Sequence, residues 1–156
     1  MSNDDLLRPT LSAYSRPPAL YHKTGFALAA FFGGPVGAAV YSLANTGRLS
    51  RLRQDAPTIV IVTASALLIP LMLARTGQFD VLANLAGMTP RSAGEVLLRG
   101  LGLACFGAIY LLHRRFFRAA RVSGVKTLPS WPLGIAALVT GWAANAALMG
   151  WILKHH

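Results

Sequence analysis

Residues 24–47 read TGFALAAFFGGPVGAAVYSLANTG and contain no charged side chain. A helix that crosses the hydrocarbon core of a bilayer needs about 20 mostly apolar residues. Uncharged runs of this kind also cover residues 56–74 and 127–153. A further run, residues 100–112, reaches the required length only if its helix begins near Ala93. The sequence therefore predicts an all-α polytopic membrane protein with four transmembrane helices at about 25–44, 57–74, 93–112 and 133–153.

The composition supports this reading. The chain has 156 residues, of which 54% are hydrophobic and 13% charged. It contains 15 Lys and Arg residues but only 5 Asp and Glu residues. A soluble domain carries about 25% charged residues. The composition argues against a soluble enzyme domain and a disordered chain, and the single cysteine, Cys105, argues against a disulfide scaffold. Residues 1–23 mix acidic, basic and proline residues, so we interpret them as a polar tail and not as a signal peptide.

The connection between the second and third helices, residues 75–95, is longer than a turn requires. Phe79, Leu82 and Leu85 recur in it at helical spacing. This pattern predicts a short interfacial helix between two helical hairpins.

Basic residues concentrate in two connections. Arg48, Arg51 and Arg53 follow the first helix, and Arg114, Arg115, Arg118, Arg121 and Lys126 follow the third. Short loops rich in Lys and Arg stay in the cytoplasm. We therefore expect both basic connections on the cytoplasmic side, both termini outside, and a multi-pass location in a bacterial inner membrane.

Gly33, Gly34 and Pro35 fall near the centre of the first helix. Proline removes a backbone donor and clashes with the preceding turn, so the helix should break there. The freed backbone groups must then be satisfied inside the protein. Two interpretations stay open: a kink that helps helices pack, or a ligand or ion site of the type that transporters build from broken helices.

Asn145 is predicted near the middle of the last helix. With Ala137 and Gly141 it forms a stripe of small residues at four-residue spacing. Such stripes let helices approach closely, and a buried amide can bond across them. The alternative is a polar group that lines a cavity or a translocation path. If Asn145 is a packing contact, Asn145→Leu should lower the melting temperature in detergent.

The other charged candidates have simpler roles. Glu95 and Arg99 are four residues apart on one helical face, which predicts an interfacial ion pair and weakens a proton-driven mechanism. The run Arg114, Arg115, Arg118 and Arg121 predicts binding of anionic lipid headgroups. A docking site for a partner protein is the alternative, and we do not expect nucleic-acid binding.

Motifs for catalysis or metal binding are missing from the sequence. The histidines, His22, His113, His155 and His156, lack ligand spacing, and the last two are either native or the remnant of a tag. No nucleophile elbow, zinc motif or phosphate-binding loop is found. We therefore predict no catalytic residue, no metal, no cofactor and no enzymatic activity.

Residues 29–54, AAFFGGPVGAAVYSLANTGRLSRLRQ, resemble the first hairpin of small four-span bacterial membrane proteins. Those proteins carry a Phe-x-Gly-Gly-Pro element in the first span, followed by a basic stretch. The resemblance implies a membrane location and no particular chemistry.

These observations favour a non-catalytic binding or accessory subunit that acts by helix packing with a membrane partner, either another protein or a second copy. The alternative is a small oligomeric transporter or channel that uses the broken first helix.

Overall fold

A computed structural model describes residues 19–122 and 128–155. Five helices follow in order: α1 (Lys23–Arg48), α2 (Leu52–Arg75), α3 (Gln78–Leu85), α4 (Pro90–Val122) and α5 (Trp131–His155). All except α3 are long and apolar enough to span a membrane. The predicted all-α fold with four such helices and a short helix between them is therefore confirmed. Residues 1–18 of the predicted polar tail lie outside the described residues.

Helix α1 is interrupted at Gly34. This residue has φ 62° and ψ −155°, a backbone conformation that only glycine adopts without strain. Pro35 then begins a second helical arm, a position that needs no backbone donor. The first arm comprises residues 23–33 and the second residues 35–48.

The two arms fold back on each other. The Tyr41 hydroxyl donates a hydrogen bond of 2.7 Å to the backbone oxygen of His22. The backbone N–H of Tyr21 donates to Asn45 Oδ1 at 3.0 Å. A continuous helix would separate His22 from Tyr41 by about 28 Å. The Gly-Gly-Pro break is therefore a reversal of direction, and α1 is a helical hairpin with both ends at one end of the bundle.

Close backbone approaches hold this hairpin between α4 and α5. A Cβ at Gly102 on α4 would overlap the backbone oxygen of Ala30, and a Cβ at Gly141 on α5 would overlap the backbone oxygen of Gly33. Glycine at these positions therefore allows backbones to touch, as small residues do at membrane helix interfaces. The arms are about 16 and 21 Å long, shorter than the hydrocarbon core of about 30 Å.

The core has two parts. Around the hairpin, the Phe26 ring stacks on Tyr41 at 5.3 Å and meets Phe106 edge-on at 4.7 Å. At the far end of the bundle, Phe79 of α3 and Leu98 of α4 are buried with residues of α5. The predicted short helix thus contributes Phe79 to the core, while Leu85 is 79% exposed at its end.

The described chain begins and ends at opposite ends of the bundle. The backbone N–H of Leu128, before α5, donates to the oxygen of Leu20 at 3.0 Å. Ile152, near the end of α5, lies in the far cluster with Phe79. The expectation that both termini lie on one side assumed that α1 crosses the bundle, and the reversal at Gly34 removes that assumption.

Candidate functional site

The tip of the α1 hairpin meets the amide of Asn145. A Cβ at Gly34 would lie 2.7 Å from Asn145 Nδ2 and 3.2 Å from Oδ1. The amide therefore rests directly on the glycine backbone where the chain reverses. Asn145 Oδ1 is buried and has no hydrogen-bond partner within the described residues. A buried acceptor without a partner costs about 1–3 kcal/mol.

Above the tip lies a cavity of about 300 Å³ between α4 and α5. Asn145 and Phe32 line its lower part, and Trp142 lines its side. At mid-height of the bundle Phe32 is 49% exposed and Trp142 is 67% exposed. Both side chains that line the cavity here are therefore partly exposed at the surface of the bundle. We call it the charged cavity because of its upper wall.

Three charged side chains form this upper wall. Arg91 Nε lies 3.6 Å from Glu95 Oε1, and Arg99 Nη2 lies 3.8 Å from Glu95 Oε2. The predicted pair of Glu95 and Arg99 is therefore confirmed, and Arg91 joins it. The Arg99 guanidinium also lies 5.8 Å from the centre of the Phe31 ring. Two positive charges against one negative charge make the wall attractive to an anion.

The structure thus gathers the predicted site residues of both halves of the chain. Asn145 contacts Gly34 and lines the charged cavity, and Glu95 and Arg99 form its wall. Gly33 packs against Gly141, and Pro35 begins the second arm. The small-residue stripe on α5 therefore faces α1 of the same chain.

At the basic end, sequence reasoning missed a buried ionic cluster. Asp55 of α2 and His113 of α4 are 8% and 5% exposed. His113 Nε2 lies 3.1 Å from Asp55 Oδ2 in a hydrogen bond. Arg51 Nε lies 3.6 Å from the same oxygen, and its guanidinium covers the Phe116 ring at 4.9 Å. The cluster joins the start of α2 to α4 at this end of the bundle.

A signal for this cluster existed in the sequence. Asp55 is the acidic residue beside the first basic connection, and His113 opens the second. Both connections were predicted on one side of the membrane, so an attraction between these two residues could have been considered. Arg114, Arg115 and Arg118 surround the cluster and are exposed, as headgroup binding requires. Arg121 also lies on α4, but its side chain is outside the described residues.

Within residues 19–122 and 128–155, no group of three or more His, Cys, Asp and Glu side chains is placed to hold a metal ion. Comparison with protein-family models, curated proteins and solved structures finds no match to this chain. The class supported by the fold is that of an integral membrane protein with several candidate spans. The likeness of residues 29–54 to small bacterial membrane proteins stays a prediction.

Proposed function

We propose that this chain is a small, non-catalytic membrane transport protein whose ligand enters the charged cavity. One observation carries the proposal: the α1 hairpin ends inside the bundle, next to a cavity that is lined by Phe32 of its first arm and by Asn145, which contacts Gly34 at its tip. Discontinuous helices whose broken ends meet a ligand near mid-membrane are a recurring device of transporters. Irregular backbone at that depth is stable only where it is buried or lines a cavity.

The same geometry favours transport over an accessory role. The accessory hypothesis depended on the small-residue stripe Ala137, Gly141 and Asn145 being free for a partner. In the structure Gly141 packs on Gly33 and Asn145 packs on Gly34. The stripe is therefore occupied inside the chain. The broken helix that the alternative hypothesis required lies beside a cavity, and Phe32 before the break lines it.

For the orientation, we place the basic end in the cytoplasm of a bacterial inner membrane. The hairpin brings Lys23 to the same end as Arg48 and the exposed arginines of α4, whereas Lys154 lies at the other end. This arrangement strengthens the asymmetry that the positive-inside rule uses. The charged cavity then faces the outer half of the membrane.

The orientation is tested by labelling single cysteines with a membrane-impermeant maleimide in a Cys105→Ser background. We expect Lys23→Cys and Arg48→Cys to react from the cytoplasmic side and Lys154→Cys from the outside. Labelling of Lys23→Cys and Arg48→Cys from opposite sides would contradict the hairpin.

Transport is tested in phosphatidylcholine liposomes that contain the purified protein. Three probes are followed: release of trapped chloride, release of inorganic phosphate, and transbilayer movement of a fluorescent phosphatidylglycerol. We expect at least one probe to move faster than in protein-free liposomes. Gly34→Leu, which fills the hairpin tip, should abolish this movement. Gly107→Leu is the matched control, because a Cβ there meets nothing within 4 Å.

A second pair of variants covers the case in which Gly34→Leu fails to fold. Arg99→Gln changes a half-exposed cavity residue and should slow transport of the same probe. Arg75→Gln, at the same end of the bundle but outside the cavity, should leave it unchanged. Equal movement of all three probes with and without protein would refute the proposed function.

A further inference from the structure

A second groove continues the charged cavity down the outside of the bundle. It has a volume of about 350 Å³ and lies between the first arm of α1 and the first half of α5. Leu28, Ile135 and Leu138 make its walls apolar, and Gly134 leaves its lower part open. Phe32 lines both this apolar groove and the charged cavity, so the two are adjacent along α5.

Together the two recesses have the polarity of a lipid. The charged cavity carries a net positive charge from Arg91, Glu95 and Arg99. The apolar groove offers hydrocarbon contacts a few residues earlier on α5. An anionic headgroup would match the first recess, and an acyl chain would match the second.

The combined length of the two recesses also matches the length of one phospholipid. From Ile135 in the apolar groove to Gly150 at the top of the charged cavity, α5 rises by about 22 Å. A bilayer with its headgroups is about 40–45 Å thick, so one phospholipid occupies about half of that, or ~20–22 Å. A lipid of the leaflet at the Arg91 end would therefore reach from the wall of the cavity to the floor of the groove.

We propose that these two recesses form one binding site for an anionic phospholipid. The phosphate lies near Arg91 and Arg99, and one acyl chain follows Leu138 and Ile135. This inference rests on the proposed function, since it takes the same charged cavity as the ligand site and names the ligand.

The test is native mass spectrometry of the intact protein in detergent, titrated with dioleoyl phosphatidylglycerol or dioleoyl phosphatidylcholine. We expect one phosphatidylglycerol per chain, bound in preference to phosphatidylcholine. Arg99→Gln should weaken phosphatidylglycerol binding about fivefold, because one basic residue near an anionic headgroup contributes about 1 kcal/mol. Arg75→Gln, outside both recesses, should bind as the unaltered protein does.

The acyl-chain half of the site has its own pair of variants. Gly134→Leu fills the apolar groove without overlapping a neighbour, and it should weaken binding of the dioleoyl lipid. Gly107→Leu adds the same side chain at an open position on α4 and should not. Both variants leave the hairpin untouched, so loss of binding in the first alone reports on the groove.

Three outcomes overturn the inference. The first is equal retention of the two lipids. The second is binding that is unaffected by both Arg99→Gln and Gly134→Leu. The third is that free glycerol 3-phosphate competes for the site as strongly as phosphatidylglycerol does, because the ligand would then be a soluble phosphoester. Lipid binding without transport of any probe would refute the proposed function alone, and transport without lipid preference would refute this inference alone.

Discussion

Replacing Gly34 by alanine tests the folded-back path of α1 most directly. The residue occupies φ 62° and ψ −155°, and an alanine there carries a strain of about 1–3 kcal/mol. The new Cβ would also lie 2.7 Å from Asn145 Nδ2, so the amide must move. Overpacking of this kind costs about 1–3 kcal/mol. We therefore expect Gly34→Ala to lower the free energy of unfolding by about 2–6 kcal/mol in total.

The two contributions separate in a double-mutant cycle. Asn145→Ala removes the amide that the new Cβ would overlap. In that background Gly34→Ala should cost only the backbone strain of about 1–3 kcal/mol. The coupling between the two sites therefore reports the contact between the hairpin tip and α5.

The single cysteine provides the assay. Cys105 is 3% exposed, so a thiol-reactive fluorogenic maleimide reports its release when the protein in detergent is heated. Gly107→Ala is the matched control, and it should keep or raise the melting temperature because alanine is the better helix former. If Gly34→Ala and Gly107→Ala melt at the same temperature, the backbone at residue 34 is an ordinary helix and the hairpin is refuted.

Four single substitutions make further predictions, each measured by the same melting assay. Asp55→Leu should lower the free energy of unfolding by about 3–5 kcal/mol, because it leaves a buried ionic cluster without its carboxylate. Glu95→Leu at the half-exposed cavity wall should lower it by about 1 kcal/mol or less. Equal losses of stability would contradict the difference in burial between the two carboxylates. Gly102→Ala should destabilise, since its Cβ overlaps the backbone of α1, and a melting temperature at or above that of the unaltered protein would refute the close approach. Asn145→Ala should leave the melting temperature unchanged or raise it, because Oδ1 has no hydrogen-bond partner among the described residues. A large decrease in the melting temperature would instead support a hydrogen bond that holds the helices together.

The prediction for Asn145 shows where the structure differs from what the sequence suggests. The small-residue stripe correctly marks the face of α5 that packs closely, and Gly141 does pack on Gly33. The same stripe suggests that the amide bonds across the interface, but in the part of the chain that the structure describes its oxygen has no partner. Spacing along a helix defines a face, whereas hydrogen bonding depends on atoms contributed by another helix.

The ionic contacts at the two ends of the bundle also differ in whether the sequence predicts them. The ion pair of Glu95 and Arg99 could be predicted because both residues lie on one helix at four-residue spacing. The pair of Asp55 and His113 joins residues that are 58 positions apart. No periodicity relates them, and only the packing of α2 against α4 brings them together.

The sequence by itself determined the class of the protein, its candidate spans, the basic connections and the place where the first helix breaks. These follow from local properties: the length of apolar runs, the spacing of charges, and the backbone freedom of glycine next to proline. The tertiary structure alone decided that the break is a reversal. Gly33-Gly34-Pro35 permits either a kink or a turn back, and contacts across 19 and 24 residues, from Tyr41 to His22 and from Tyr21 to Asn45, select the second.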